Sequence, residues 1–205
     1  MEKIDLRKAL KPCYAPSAKQ FTLLEVPPPS FLMVDGTGNP NTSPEYQQAL
    51  EALYAVSYGL KFTLKKAGIA DWSVMPLEGL WWAEDMDIFA AGGDRTAWQW
   101  TMMIAQPDLV TAEQVEQAVA EARKKKTLPA LGRLRLEPYA EGLSAQILYL
   151  GAYADEGPTI ARMHAWIAEQ GYTLRGVHHE IYLGDPRRSA PEKLKTILRQ
   201  PVKRR

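Results

Sequence analysis

His178-His179-Glu180-Ile181-Tyr182-Leu183 and, about a hundred residues earlier, Met75-Pro76-Leu77-Glu78-Gly79-Leu80-Trp81-Trp82 each set one carboxylate among apolar and aromatic residues at strand spacing. Each follows a strand-like run and then a helix-like run, so the chain reads as a duplicated unit that presents an acid twice. A carboxylate in such surroundings costs free energy unless something pairs with it, and a ligand is one candidate partner.

Working outward from the first acid, residues 21–26 read as a strand stopped by Pro27-Pro28-Pro29, which lack backbone donors. Residues 31–34 form a buried strand, and Asp35-Gly36-Thr37-Gly38-Asn39-Pro40 is turn chemistry with no Gly-Lys-Ser/Thr of a phosphate loop. A helix opens at Ser43 and Pro44, carries Tyr46, Leu50, Leu53, Tyr54, Leu60 and Leu64 on one stripe, and stops at Gly68. Residues 72–82 are extended and hold Glu78, and residues 94–105 form a strand rich in Trp98, Trp100, Met102 and Met103. Thr111-Ala112-Glu113-Gln114 has the form of a capping box, and the run Arg123 to Lys126 closes that helix as a solvated end. Residues 133–139 read as a strand.

The second cycle repeats the order. Residues 145–153 form a strand, Asp155-Glu156-Gly157-Pro158 turns into a helix marked by Ile160, Met163 and Ile167, and residues 173–183 return as extended structure around Glu180. After Gly184-Asp185-Pro186, Ser189-Ala190-Pro191-Glu192 reads as a second capping box, with a short helix ending before Pro201 and a frayed Lys203-Arg204-Arg205 tail. The expected fold is α+β, a pseudo-twofold pair of strand–helix–strand–strand halves at about 21–110 and 131–202, with residues 1–20 as an irregular arm.

Composition narrows the function. The 205 residues suffice to bury a core, and a net charge of +1 argues against direct nucleic-acid binding. The single cysteine, Cys13, permits neither an internal disulfide nor a cysteine-based zinc site, and no base stands near it in sequence to make it a nucleophile. No stretch approaches the ~18 consecutive apolar residues of a membrane span, and the first residues lack a signal-peptide profile. A cytoplasmic protein is expected. His164, His178 and Glu180 lack the spacing of a metal motif, so neither metal nor cofactor is expected.

The stretch HHEIYLGDPRRSAPEKLKTILRQPV, residues 178–202, resembles the C-terminal signature of the GyrI-like small-molecule-binding family, and MPLEGLWW, residues 75–82, is similar to the matching element of stand-alone members. The resemblance runs from about residue 20 to 202. It implies two related halves whose sheets form a concave face with a central cleft for apolar, often aromatic and cationic compounds. Some members are fused to a helix-turn-helix, for which some twenty residues before the first strand leave no room. Other stand-alone members are hydrolases that open the cyclopropane ring of DNA-alkylating natural products. The family's second-half acid and following aromatic match Glu180 and Tyr182, and its first-half acid matches Glu78, beside Trp81 and Trp82.

Strand alternation assigns faces. His178, Glu180 and Tyr182 share one, Glu78, Leu80 and Trp82 share one, and Trp98, Trp100 and Met102 share another. If the halves fold alike, Glu78 and Glu180 approach one cleft walled by Trp81, Trp82, Trp100 and Met102, with His178 beside them. Aromatic walls and a carboxylate floor favour flat cations. The expected activity is multidrug-type binding of hydrophobic aromatic, preferentially cationic molecules. The alternatives are a hydrolase using Glu180 and Tyr182, and a protein-interaction module.

Overall fold

The computed structural model describes residues 1–84 and 95–205. Asp94, where one expected strand begins, lies outside them. The N-terminal arm is more ordered than its mixed composition predicts. It forms β1 (Glu2–Ile4), α1 (Leu6–Ala9) and α2 (Lys11–Tyr14), and β1 pairs in parallel with β4 (Ala70–Trp72). Elements of three or four residues are too short to show a period.

The first repeat runs through β3 (Ser30–Thr37), α3 (Pro44–Lys66), β5 (Leu77–Trp82) and β6 (Gln99–Gln106). Ser43 caps α3 by accepting from the Tyr46 amide, and Pro44 stands at the first turn, as expected. The second repeat runs through β8 (Gly142–Leu150), α5 (Gly157–Glu169), β10 (His178–Tyr182) and β11 (Lys195–Arg204). Between them α4 (Ala112–Lys125) opens on the reciprocal Thr111–Gln114 capping box.

The strands join in one antiparallel sheet in the order β2 (Thr22–Val26), β8, β11, β10, β5, β6, β3, β7 (Arg135–Pro138), with β9 (Tyr172–Leu174) paired to the end of β11. The order β8-β11-β10 mirrors β3-β6-β5 about the central pair β10·β5, which is the twofold of the duplication. The strand preceding each repeat adds to the edge of the other one, β2 to β8 and β7 to β3. The fold is α+β, as the repeated strand–helix–strand–strand pattern indicates.

The helix expected before Pro201 is instead the strand β11, preceded by a short 3₁₀ turn at Pro191–Lys193. Residues 196–202 are all buried because both faces of this inner strand are covered, so no period-2 alternation marks it in the sequence. The terminal Lys203 and Arg204 are likewise held, paired to Thr173 and Tyr172.

The helices α3 and α5 lie on one face. α3 packs Leu53, Val56 and Leu60 over β3 and β6, and α5 packs Met163 and Ile167 with Ala145, Ile147 and Leu198. Each such side chain contributes roughly 1.5–3 kcal/mol of burial. The central strands β10 and β5 lie between the two packed units. No helix among the described residues is long and apolar enough to cross a membrane.

Candidate functional site

β10 and β5 pair with Glu180 opposite Gly79, His178 opposite Trp81 and Tyr182 opposite Leu77. These residues therefore share the helix-covered face. The Trp81 indole N–H donates to the Tyr182 hydroxyl at 2.9 Å, and that hydroxyl donates to Glu180 Oε2 at 2.7 Å. Gly79 makes room for this chain. A Cβ there would stand 2.8 Å from Trp81 Nε1 and 3.2 Å from the Tyr182 oxygen. His178 Nε2 lies 3.5 Å from Glu180 Oε1, an ion-pair distance rather than a hydrogen bond.

Rings enclose the acid. Tyr46, from the first turn of α3, stacks near Trp81 at 6.3 Å between centroids, and Tyr153 meets Tyr182 edge-on at 5.4 Å. The Glu180 side chain keeps 16% exposure and His178 12%. Burial, and then the charge of Glu180, hold the Tyr182 phenol well above its ordinary value, so it remains a hydrogen-bond donor. A second carboxyl joins the first. Glu156, just before α5, is buried, and burial followed by repulsion from Glu180 pushes it up to about 9, with the Thr196 hydroxyl acting in the opposite direction. His164 is held down by burial and by His178.

The opposite face of the same strands carries a different cluster. His179 stands between two buried carboxylates, with Nε2 2.9 Å from Glu78 Oε2 and Nδ1 3.0 Å from Glu141 Oε1. Arg199 donates to Glu141 at 3.0 Å, to Gln146 at 3.2 Å and to the Cys13 carbonyl at 2.5 Å. The Tyr14 hydroxyl donates to Glu78 at 2.6 Å. Two carboxylates thus face two cations under the arm. Although burial opposes its charge, His179 is raised to about 9 by Glu141 and Glu78, and Glu141 is lowered to about 2 by His179 and Arg199 against its own burial.

Of the expected site residues, the structure brings Glu180, Tyr182, Trp81 and His178 together. Glu78 does not join them. Face-sharing residues are odd-numbered in β5 and even-numbered in β10, so the twofold relates Glu78 to the face of His179, not to that of Glu180. The two acids differ by one register step, which in a strand means opposite faces. Trp82 follows Glu78 to the far side, where its indole donates to Gln99. Trp100 and Met102 do lie on the helix-covered face, yet both are fully buried in the core on a strand that α3 covers, and Trp100 is seated over Gly36. Gly79 marks no bulge, because β5 pairs without interruption on both sides.

Sequence reasoning missed Glu156, Tyr46 and Tyr153 on the site face and Glu141 beneath it. Glu156 read only as turn chemistry, and Tyr46 only as part of a helix stripe. Elsewhere among the described residues, a hollow of about 10 Å³ lies under the arm beside Cys13 and one of about 540 Å³ lies between α3 and α4. Among the described residues no three His, Cys, Asp or Glu side chains are arranged to hold a metal ion.

A family model described as GyrI-like small molecule binding domain matches residues 19–203. No curated protein matches the sequence. Among solved structures, an uncharacterized conserved protein from Listeria innocua is 42% identical, with a TM-score of 0.90 over 98% of this chain and 100% of its own. A protein from the same organism described as a hydrolase is 41% identical, with a TM-score of 0.88 over the same shares. The C-terminal domain of EcmrR is similar in fold, with a TM-score of 0.58 at 12% identity over 91% of this chain and 98% of its own.

Proposed function

The chain belongs to the family of GyrI-like small-molecule-binding domains, and from that premise we propose that it takes up flat aromatic compounds, cationic ones in preference, against Glu180. The observation that carries this reading is the position of Glu180. It is a strand-centre acid facing Trp81, Tyr46, Tyr153 and Tyr182 on the helix-covered side of the sheet. Rings supply apolar area and negative faces, and the carboxylate supplies countercharge where water is scarce. Ethidium, a permanently charged flat cation, is expected to quench tryptophan emission with micromolar affinity. Glu180→Gln weakens it more than tenfold while neutral phenanthridine is little affected. Equal ethidium affinity in the two proteins removes Glu180 from the site.

A second reading is hydrolysis of a strained, cyclopropane-bearing alkylator. It is supported by the 41% identity, over nearly both full lengths, to the Listeria protein described as a hydrolase. In this reading Glu180 takes a proton from water as the water oxygen bonds to a ring carbon. The strained C–C bond breaks, and its electron pair moves into the conjugated carbonyl, whose oxygen takes a proton from a protonated neighbour. The compound then disappears faster with the protein than without it, and Glu180→Gln abolishes the difference. An unchanged decay rate with the native protein rejects this reading.

A further inference from the structure

Glu156 sits where an N-cap residue belongs, and its carbonyl accepts from the Thr159 and Ile160 amides, so its backbone serves α5. Its side chain does not cap the helix. The residue is 3% exposed, and its Oε1 has no hydrogen-bond partner among the described residues. A glutamate so placed would normally turn to solvent or to the free amides of the first turn. This one lies among Glu180 and Tyr182 of β10, Tyr149 of β8, Thr196 of β11 and Tyr153 of its own turn, all of which sense its charge or act on it.

We infer that Glu156 is a specificity residue of the cleft, a second acid that holds a proton beside Glu180 and releases it when a cation enters, so that the site exchanges a proton for its ligand. The inference rests on reading the Glu180 face as a cation site. Two neighbouring carboxylates in a buried setting do not both ionise readily, and the less solvated one keeps the proton. The burial of Glu156 and the charge of Glu180 both favour that outcome, and Glu156 is accordingly pushed up to about 9. A ligand cation offsets the charge of Glu180 and removes the repulsion. The N-terminus of the 13-residue α5 then favours the anion at Glu156. Neutral aromatics gain nothing from this exchange, so the second acid widens the preference for cations as pH rises.

Other groups on this face are His178 of β10, His164 of α5 and Tyr46 of α3, and His179 lies on the far face. The test window of pH 7.5 to 8.5 stands above the ordinary histidine range, and His179, raised to about 9, titrates toward its upper end in both proteins, so a Glu156→Gln variant, which retains all these groups, is the control. Two measurements decide. Without ligand, the infrared spectrum at pH 7 should contain a protonated-carboxyl C=O band that Glu156→Gln removes. With ethidium, calorimetry in phosphate and in Tris should report close to one proton released per dye. Affinity should rise by up to tenfold per pH unit, and both effects should vanish in Glu156→Gln. Glu156→Met, of similar length, replaces the glutamine variant should that one melt early. Bound ethidium with no such band, or with proton release unchanged by the substitution, overturns the role of Glu156 alone. A band present with no ethidium binding at any pH overturns the cation site itself, and the exchange with it.

Discussion

His179 Nε2 lies 2.9 Å from Glu78 Oε2 on the face of the central strand pair that is turned away from Glu180. Adjacent residues of β10 thus serve two purposes. Glu180 faces the rings of Trp81, Tyr46, Tyr153 and Tyr182, while His179 anchors the strand from behind through a charge cluster sealed by the arm. Glu180 is held in place because its neighbour cannot move without exposing buried ions.

That contact makes stability fall as pH rises. His179 is raised from 6.5 to about 9, so the folded protein keeps a proton that the unfolded chain loses. The contribution is fully present below pH 6.5 and is lost as pH rises through 9, on the order of 3 kcal/mol in all. Urea midpoints should therefore fall between pH 6.5 and 9, and His179→Gln should be less stable at neutral pH with a flatter profile. Parallel profiles for the two proteins would show that His179 does not carry the proton.

Glu141 contacts both cations of the cluster, so its removal leaves two buried positive charges short of a partner. Glu141→Gln is expected to cost about 3–5 kcal/mol at pH 7, the range for breaking a buried pair on one side. Since Glu141 is lowered to about 2, its contribution is present above pH 4.5 and disappears as pH falls through 2. Glu121 pairs with Lys124 on the exposed side of α4, and Glu121→Gln should leave the urea midpoint unchanged. Similar losses for both variants would mean that burial is not what gives the Glu141 cluster its weight.

The faces within β10 were legible in the sequence because the pleat is a local property: His178, Glu180 and Tyr182 had to point one way. The repeat order was legible too, since each half carries its own strand and helix signals. The register of β5 against β10 was not, because it is set by long-range pairing and core fit. A one-residue difference there moved Glu78 and Trp82 to the far face and put Gly79 and Trp81 beside the acid. β11 was hidden by burial on both faces, and the arm by the brevity of its elements. Glu156 reaches the site only through tertiary folding, and nothing in Asp155-Glu156-Gly157-Pro158 distinguishes it from a solvated turn.

Gly79 gives a test of the geometry that does not touch a charge. A methyl group placed there meets the indole nitrogen and the phenol oxygen at distances that force one of them aside. Gly79→Ala should break the Trp81–Tyr182 bond, destabilise by about 1–3 kcal/mol as overpacking does, and lower ethidium affinity at least tenfold. Shifted tryptophan emission without ligand would report the broken bond directly. Native emission and affinity would show that the site tolerates a side chain opposite Glu180.

Tyr182→Phe separates holding a ligand from acting on it. The substitution keeps the ring that Tyr153 meets and removes the hydroxyl that accepts from Trp81 and donates to Glu180. Glu180 loses a donor that stabilised its charge, so a cation becomes its better partner. Ethidium should bind as tightly as to the native protein, or up to several-fold more tightly. Any hydrolysis of a cyclopropane-bearing alkylator should instead fall by about 100-fold or more, since a positioned proton-transfer group is commonly worth that much. The two readouts move in opposite directions only if the hydroxyl serves chemistry. A parallel fall in affinity and turnover would assign it to shaping the site, and unchanged turnover would exclude Tyr182 from the reaction.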